Sequence, residues 1–367
     1  MRHTRRSFLA TSAAAWAISA QGNLFAQAEP KKKNVPWLDE IQKAPDPLPP
    51  NMPQLSPLLV DDKGQPITTR EGWEKKRQTL RQAWLDFLGP LPAERKPPKL
   101  EVLEEDTPDG VIRQLVRYET EPGLLVEGYL LRPKPTAQLA LQMPGVVVLH
   151  STVDYTIRQP AGLEGPPEKF FGLKLAQRGC VTFCPRCFLW QGAGDYKKKV
   201  ADFQQRHSKS KGMAKMLIDA MRGVDVLLTL KEVDPKRIGA VGHSLGAKEA
   251  LYLAAFDERV AVTVSSEGGI GIDFSNWDAP WYLSDAVKRD DFRLSHHEVL
   301  ALVAPRPFLL IGGQSADNDR GWAYIQAVLP VYQLYFHQPV GQFNHRQGHA
   351  VPPIAEQRIY EWFSTYL

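Results

Sequence analysis

Apolar and polar positions change rhythm several times along this chain, and each change predicts an element. Residues 100–105, 111–119 and 124–132 alternate apolar and polar side chains, the pattern of antiparallel strands with one wet face. Further on the runs become continuously apolar, at 145–150, 180–183, 238–241, 260–265 and 306–311. Short unbroken runs of this kind predict strands buried on both faces. Helical segments fall between them at about 169–178, 213–230 and 245–254, a final helix runs over about 353–366, and 332–337 reads as one more strand carrying His337.

Earlier in the chain, Trp73, Leu80, Trp84, Phe87 and Leu88 share one helical face, so a helix is expected over about 71–88. Thr69 is placed to cap it, and Gly89-Pro90-Leu91-Pro92 stops it. Strand–helix alternation with buried strands implies an α/β chain with a doubly wound, mostly parallel sheet, preceded by antiparallel strands. No internal repeat is present. Residues 29–70 are rich in proline and weak in pattern, as extended chain wrapped on a surface is. The expected organisation is an export signal at 1–28, a proline-rich wrap with one helix at 29–98, and the main α/β domain at 99–367.

The export signal rests on Thr4-Arg5-Arg6-Ser7-Phe8-Leu9, a twin-arginine pattern, followed by a mildly apolar stretch and the small-x-small site Ala26-Gln27-Ala28. It implies the twin-arginine machinery as a partner, a mature chain from Glu29, and a periplasmic or secreted destination. Most of the formal charge of +4 resides in that leader: residues 1–28 hold Arg2, Arg5 and Arg6 and no acid, leaving 42 basic against 41 acidic side chains. A near-neutral body offers no electrostatic case for nucleic acid, and no apolar run reaches the length of a membrane span. The sequence does not fix an oligomeric state.

Cys180, Cys184 and Cys187 are the three cysteines. An odd, clustered set is no disulfide framework. The C-x-x-C spacing of Cys184 and Cys187 lacks the further ligands that zinc needs, and it follows a strand where a redox motif opens a helix. The three read as structural, with a local Cys184–Cys187 disulfide left open for an oxidising compartment. No metal and no organic cofactor is called for.

The chemistry concentrates at Gly242-His243-Ser244-Leu245-Gly246. A G-x-S-x-G pattern between a strand and a helix is a nucleophile elbow: the turn exposes the Ser244 hydroxyl and leaves the Leu245 N–H at a helix N-terminus, ready for an oxyanion. A serine needs a base to take its proton and a carboxylate to orient that base. The base is expected beyond the last strand, at His349 rather than at His345, which reads as a loop residue. Asp317, after the 306–311 run, is the favoured carboxylate, with Asp319 nearby; Glu267, in Ser265-Ser266-Glu267-Gly268-Gly269, is the alternative. The second oxyanion donor is expected from the N–H of Ser151 or Thr152. His150, at the same strand end, is a candidate for substrate contact or for a buried hydrogen bond. Phe274, Trp277, Trp281, Tyr282 and Trp190 form an aromatic group able to floor a sugar site or to pack an insertion. Lys197-Lys198-Lys199 and 207–211 read as a solvated basic loop.

From about Leu124 onward these residues resemble the α/β-hydrolase superfamily, and within it the dienelactone-hydrolase-like and acetyl-xylan-esterase-like branches. Gly128-Tyr129-Leu130-Leu131-Arg132-Pro133 is similar to their opening strand. Lys248, four residues after the nucleophile, and the Glu267 loop are similar to the corresponding features of the glucuronoyl esterases, which cut esters between lignin alcohols and glucuronate on xylan. That resemblance implies a sugar-contacting role for Lys248 and an acid role for Glu267. The chain departs from the pattern where it has Leu245 in place of the arginine that follows the nucleophile in those enzymes. The expected function is an exported serine carboxylic-ester hydrolase acting through an acyl-enzyme on carbohydrate-linked esters of acetyl or glucuronoyl type. A serine peptidase of the same fold and a non-catalytic carbohydrate-binding protein are the alternatives.

Overall fold

The computed structural model describes residues 33–90, 96–135 and 142–367; the export signal expected at 1–28 lies outside them. The strands are β1 (Glu101–Asp106), β2 (Val111–Glu121), β3 (Leu124–Pro133), β4 (Met143–Leu149), β5 (Val181–Pro185), β6 (Val233–His243), β7 (Val260–Ser266), β8 (Phe308–Gly312) and β9 (Val340–Asn344). They form one sheet in the order β1-β2-β3-β5-β4-β6-β7-β8-β9. The contacts β1·β2, β2·β3 and β3·β5 are antiparallel, and every contact from β5 to β9 is parallel. The alternating runs thus became the antiparallel flank and the continuous runs the buried parallel centre. Along β4, Val147 and Leu149 face one core while Val146 and Val148 face the other, so a strand covered on both sides has no polar position to spare.

The helices are α1 (Leu38–Ile41), α2 (Arg70–Leu88), α3 (Phe171–Ala176), α4 (Tyr196–Arg206), α5 (Gly212–Leu228), α6 (Leu245–Phe256), α7 (His296–Ala301), α8 (Trp322–Gln333) and α9 (Pro353–Tyr366). Residues of α2, α5, α6, α7 and α8 build the core on one face of the sheet, and those of α1, α3 and α9 the core on the other. Every residue of α6, the helix that leaves the elbow, is buried. Among the described residues, no helix is long and apolar enough to cross a membrane.

The segment before β1 shares these cores. The Thr69 side chain accepts from the Gly72 N–H at 3.1 Å and caps α2. Trp73 and Trp84 are fully buried. The Trp84 indole N–H donates to Glu298 Oε2 at 3.0 Å, and its ring stacks on His296 at 5.4 Å. On the opposite face Trp37 donates to Glu361 Oε2 at 2.6 Å and stacks on Trp362 at 5.7 Å. The Gln42 amide donates to the Val340 carbonyl at 2.9 Å, covering the open edge at β9.

Two expectations are corrected, and one alternative left open for the cysteines is closed. Residues 332–337 are not a strand: Tyr332 belongs to α8, and the last strand is β9. The basic stretch 197–199 is not a loop but the first turn of α4. Asp195 caps it by accepting from the Lys198 N–H at 2.9 Å, and Val200 and Phe203 anchor it in the core. The three cysteines are free and buried. Cys184 belongs to the core beneath α3 and Cys187 to the core on the other side of the sheet, so the C-x-x-C pair has no disulfide between its members.

Candidate active site

Strand order decides what can meet. β6, β7, β8 and β9 are consecutive parallel neighbours, so the loops leaving their carboxyl ends emerge side by side. These loops carry Ser244, Glu267, Asp317 and His349 respectively. At the first of them the chain turns from strand to helix within one residue. Ser244 has φ 60° and ψ −118°, a backbone state that costs a non-glycine residue of the order of 1–3 kcal/mol. The turn closes only because both flanking positions lack a Cβ. On Gly242 it would strike the Gly246 carbonyl group, and on Gly246 the Leu149 carbonyl at the end of β4. Glu267 occupies the second unusual position, with φ 53°. The expected nucleophile and the alternative acid are therefore both held in backbone states that the surroundings must enforce.

Glu267, rather than Asp317, meets the histidine. His349 Nδ1 lies 3.0 Å from Glu267 Oε2. The carboxylate is fully buried, while the His349 side chain is 41% exposed, so the ring opens outward from a buried anchor. Glu267 also accepts from the Ala316 N–H at 2.9 Å and from the Gly313 N–H. A carboxylate only accepts at this pairing, so Nδ1 carries a proton, and it is the neutral ring of that tautomer whose Nε2 has a lone pair to act as base.

Asp317, equally buried, accepts from the Gly269 N–H at 2.8 Å and from the Ile270 N–H at 2.7 Å. The two loops thus hold each other: the acid of the β7 loop sits on amides of the β8 loop, and the acid of the β8 loop sits on amides of the β7 loop. The expected placement of Asp317 behind His349 gives way to this clasp. Asp319 is engaged elsewhere, accepting from Asn344 Nδ2 at 2.8 Å and Arg346 at 3.0 Å. His345 accepts from the Gln347 N–H at 3.1 Å and closes a turn. The histidine loop is tied to the β8 loop by the Gly348 N–H, which donates to the Gly313 carbonyl at 2.6 Å. His337, on the surface, pairs with Asn34 Oδ1 at 3.0 Å.

Burial pushes Asp317 up to about 6, with Glu267 adding to the rise while the two amides and Lys248 oppose it. An acid whose folded pKa exceeds its unfolded value holds its proton longer in the folded state, so stability from this group falls as pH rises from about 4 to about 6. The stability difference between wild type and Asp317→Asn is expected to move against wild type by on the order of 3 kcal/mol across that window and to be flat above it. Urea unfolding of both proteins at a series of pH values checks this, and a parallel pair of curves would refute it.

The oxyanion candidates separate. Leu245 begins α6, so its amide stands at a helix N-terminus beside Ser244. The Ser151 N–H donates to Gln159 Oε1 at 3.3 Å, whereas Thr152 is exposed. His150 does not reach out to a substrate. It is 1% exposed, its Nδ1 lies 2.7 Å from the Ser151 carbonyl, and its Nε2 accepts from the Cys187 N–H at 3.1 Å. Burial pushes its pKa down to about 4, so it is a neutral strut.

Lys248 is likewise enclosed. It is 4% exposed, its ammonium donates to Ser275 Oγ at 2.7 Å, and it lies 3.9 Å from the centre of the Trp277 ring. Burial lowers its pKa to about 7, with Asp317 opposing. Trp277 is fully buried and donates to the Gly269 carbonyl at 2.7 Å. It braces the Glu267 loop and presents no face for stacking. Trp281 is partly exposed and packs edge-on against Tyr196 at 5.5 Å. Sequence reasoning passed over His243, Ser266 and Lys169. The signal for the first two was their position, one residue before the expected nucleophile and one before the alternative acid. No group of His, Cys, Asp and Glu side chains disposed to hold a metal occurs among the described residues.

Residues 126–280 match the dienelactone hydrolase family. A putative hydrolase of Bacillus subtilis, YtaP, is 28% identical over 259 residues, 65% of this chain and 80% of that protein. A 4-O-methyl-glucuronoyl methylesterase of Neurospora crassa is 23% identical over 41% of this chain and 44% of that protein. Among solved structures, a glucuronoyl esterase from Solibacter usitatus superposes with a TM-score of 0.70 at 17% identity, covering 86% of this chain and 98% of its own. Sheet order, elbow and the solved structures agree on the α/β-hydrolase fold, and residues 126–280 of this chain are similar to the dienelactone hydrolase family.

Proposed function

We propose that this protein is a serine carboxylic-ester hydrolase that acts through an acyl-enzyme on carbohydrate-linked esters. The observation that carries the proposal is the buried Glu267 carboxylate on His349 Nδ1, in the loop beside a strained Ser244 elbow. In the first half-reaction the Ser244 oxygen attacks the ester carbonyl and its proton passes to His349 Nε2. Glu267 stabilises the resulting imidazolium without taking the proton. The developing oxyanion is met by the Leu245 N–H and by the Thr152 N–H, the Ser151 amide being engaged by Gln159. The tetrahedral intermediate collapses, the C–O bond to the alcohol breaks, and His349 returns the proton to the departing oxygen. Water then repeats the sequence on the acyl-enzyme and releases the carboxylic acid.

The carbohydrate-ester class draws support from the named activities of the similar proteins. A sugar contact through Lys248 has no support in the geometry, because that ammonium is engaged by Ser275 and Trp277. The peptidase reading has no feature of its own in this site. The non-catalytic reading has lost Trp277 as a stacking surface and leaves the Glu267–His349 pair without a purpose. Export by the twin-arginine route, proposed from Arg5 and Arg6, sets the destination as periplasmic or secreted.

The test is a panel of acetylated xylan and benzyl glucuronate esters offered to the protein without residues 1–28. Turnover is expected on at least one carbohydrate ester with kcat/KM at least about 10-fold above p-nitrophenyl acetate, since remote sugar contacts contribute to transition-state binding. Turnover of the simple ester alone would remove the carbohydrate class and leave the esterase.

A further inference from the structure

Behind the three residues of the proposed mechanism runs a second set of contacts. His243 precedes Ser244 and Ser266 precedes Glu267, and the two are paired directly across β6 and β7. His243 is 1% exposed and Ser266 is fully buried. The His243 ring lies with Nδ1 3.1 Å from the Ser266 hydroxyl and Nε2 3.2 Å from the His349 carbonyl oxygen. Its centre is 4.6 Å from that of the His349 ring.

The chemistry of the partners fixes the directions. A carbonyl only accepts, so Nε2 carries the proton and donates. For a neutral ring Nδ1 then accepts, and the Ser266 hydroxyl donates to it. Burial keeps the ring neutral, holding its pKa well below the ordinary value; the charges of Lys169, His349 and His345 push the same way, and the bond to the His349 carbonyl only partly opposes them. Lys169 Nζ reaches the same His349 carbonyl at 3.4 Å. His349 is consequently held at two points. Glu267 fixes its ring through Nδ1, and His243 fixes its backbone through the carbonyl.

We propose that His243 is a positioning residue for the hydrolytic reaction: through Ser266 and the His349 carbonyl it sets the place of the His349 imidazole relative to the Ser244 hydroxyl. The proposal rests on the assignment of Ser244 and His349 above. A histidine before the nucleophile is then part of the machinery of the elbow rather than filler beneath it. A displacement of the order of 1 Å in a base is enough to cost about 100-fold in rate.

The experiment compares wild type, His243→Leu, His243→Gln, Ser266→Ala and Ser244→Ala in steady-state hydrolysis of p-nitrophenyl acetate, with melting curves for each. His243→Leu is expected to lower kcat by about 30–100-fold with KM within about 2-fold. His243→Gln, whose amide N–H replaces Nε2 as donor to the His349 carbonyl, is expected to return kcat to within about 5-fold of wild type. Ser266→Ala, which keeps the ring and removes only its hydroxyl partner, is expected to lose several-fold in kcat and serves if His243→Leu fails to fold. Equal losses in the Leu and Gln variants would reduce His243 to a packing residue and overturn the proposal, as would wild-type kcat in Ser266→Ala and His243→Leu alike. Turnover surviving in Ser244→Ala would instead defeat the hydrolase mechanism itself, so the two failures are told apart.

Discussion

Ser244→Ala is expected to lower turnover of p-nitrophenyl acetate by about 10⁴-fold or more and to abolish labelling by a fluorophosphonate. The loss is large because serine and base act as a unit: without the hydroxyl, His349 has no proton to take and no covalent intermediate forms. What survives is the contribution of the Leu245 amide and of substrate binding, which alone give a modest acceleration over water. The fold should persist, since the change removes one atom from the side chain of a half-buried turn residue. Ser244→Gly makes the control sharper. It is equally inactive, yet the φ of 60° that strains serine is open to glycine, so this variant is expected to melt no lower than wild type. Full activity in Ser244→Ala would end the mechanism proposed here.

Glu267→Gln is expected to reduce kcat by about 10³–10⁴-fold, whereas Asp317→Asn is expected to keep kcat within about 10-fold of wild type. Both carboxylates are buried and both lie in loops that leave the carboxyl ends of neighbouring strands, so the difference comes from what each one touches. Glu267 Oε2 accepts from His349 Nδ1 and from the Ala316 N–H. An amide nitrogen in its place would face two donors, and the histidine could relieve the conflict only by moving its proton to Nε2, which destroys the base. If the amide turns the other way, its nitrogen meets the Gly313 N–H, and the charge that stabilises the imidazolium is still gone. Asp317 touches only the amides of Gly269 and Ile270. Its replacement is felt in stability, by about 1–3 kcal/mol for a buried donor left unmatched. Equal kcat losses in the two variants, or a larger loss in Asp317→Asn, would transfer the orienting role to Asp317.

The central sheet was legible because a strand covered on both faces has no option but a continuous apolar run, and 145–150, 238–241 and 260–265 supplied it. Helix α9 and the cap of α2 at Thr69 were legible from local chemistry. β9 was not, because an edge strand has one covered end and one wet end: Val340 and Gly341 are buried while Gln342, Phe343 and Asn344 are partly exposed. α8 was obscured by Pro330 inside it, which reads as a stop. α4 left a signal that the lysine run masked: Tyr196, Val200 and Phe203 repeat at helical spacing behind the cap at Asp195. The residue types of the candidate site were legible, but the pairing of His349 was not. Glu267 and Asp317 both follow strands in loops that contain glycines, and nothing local says which of two neighbouring loops leans toward a third. Lys248 was misjudged for a related reason, since its position on α6 was right but the cover supplied by Ser275 and Trp277 arrives from residues after the next strand.

Cys184 and Cys187 lie in different cores, with the sheet between them, and burial raises the pKa of both thiols. Neither is suited to oxidation, and the structure is complete with every thiol free. Nothing in its assembly waits for an oxidant. A chain built this way can finish folding among reductants, a property that the export route proposed above would require.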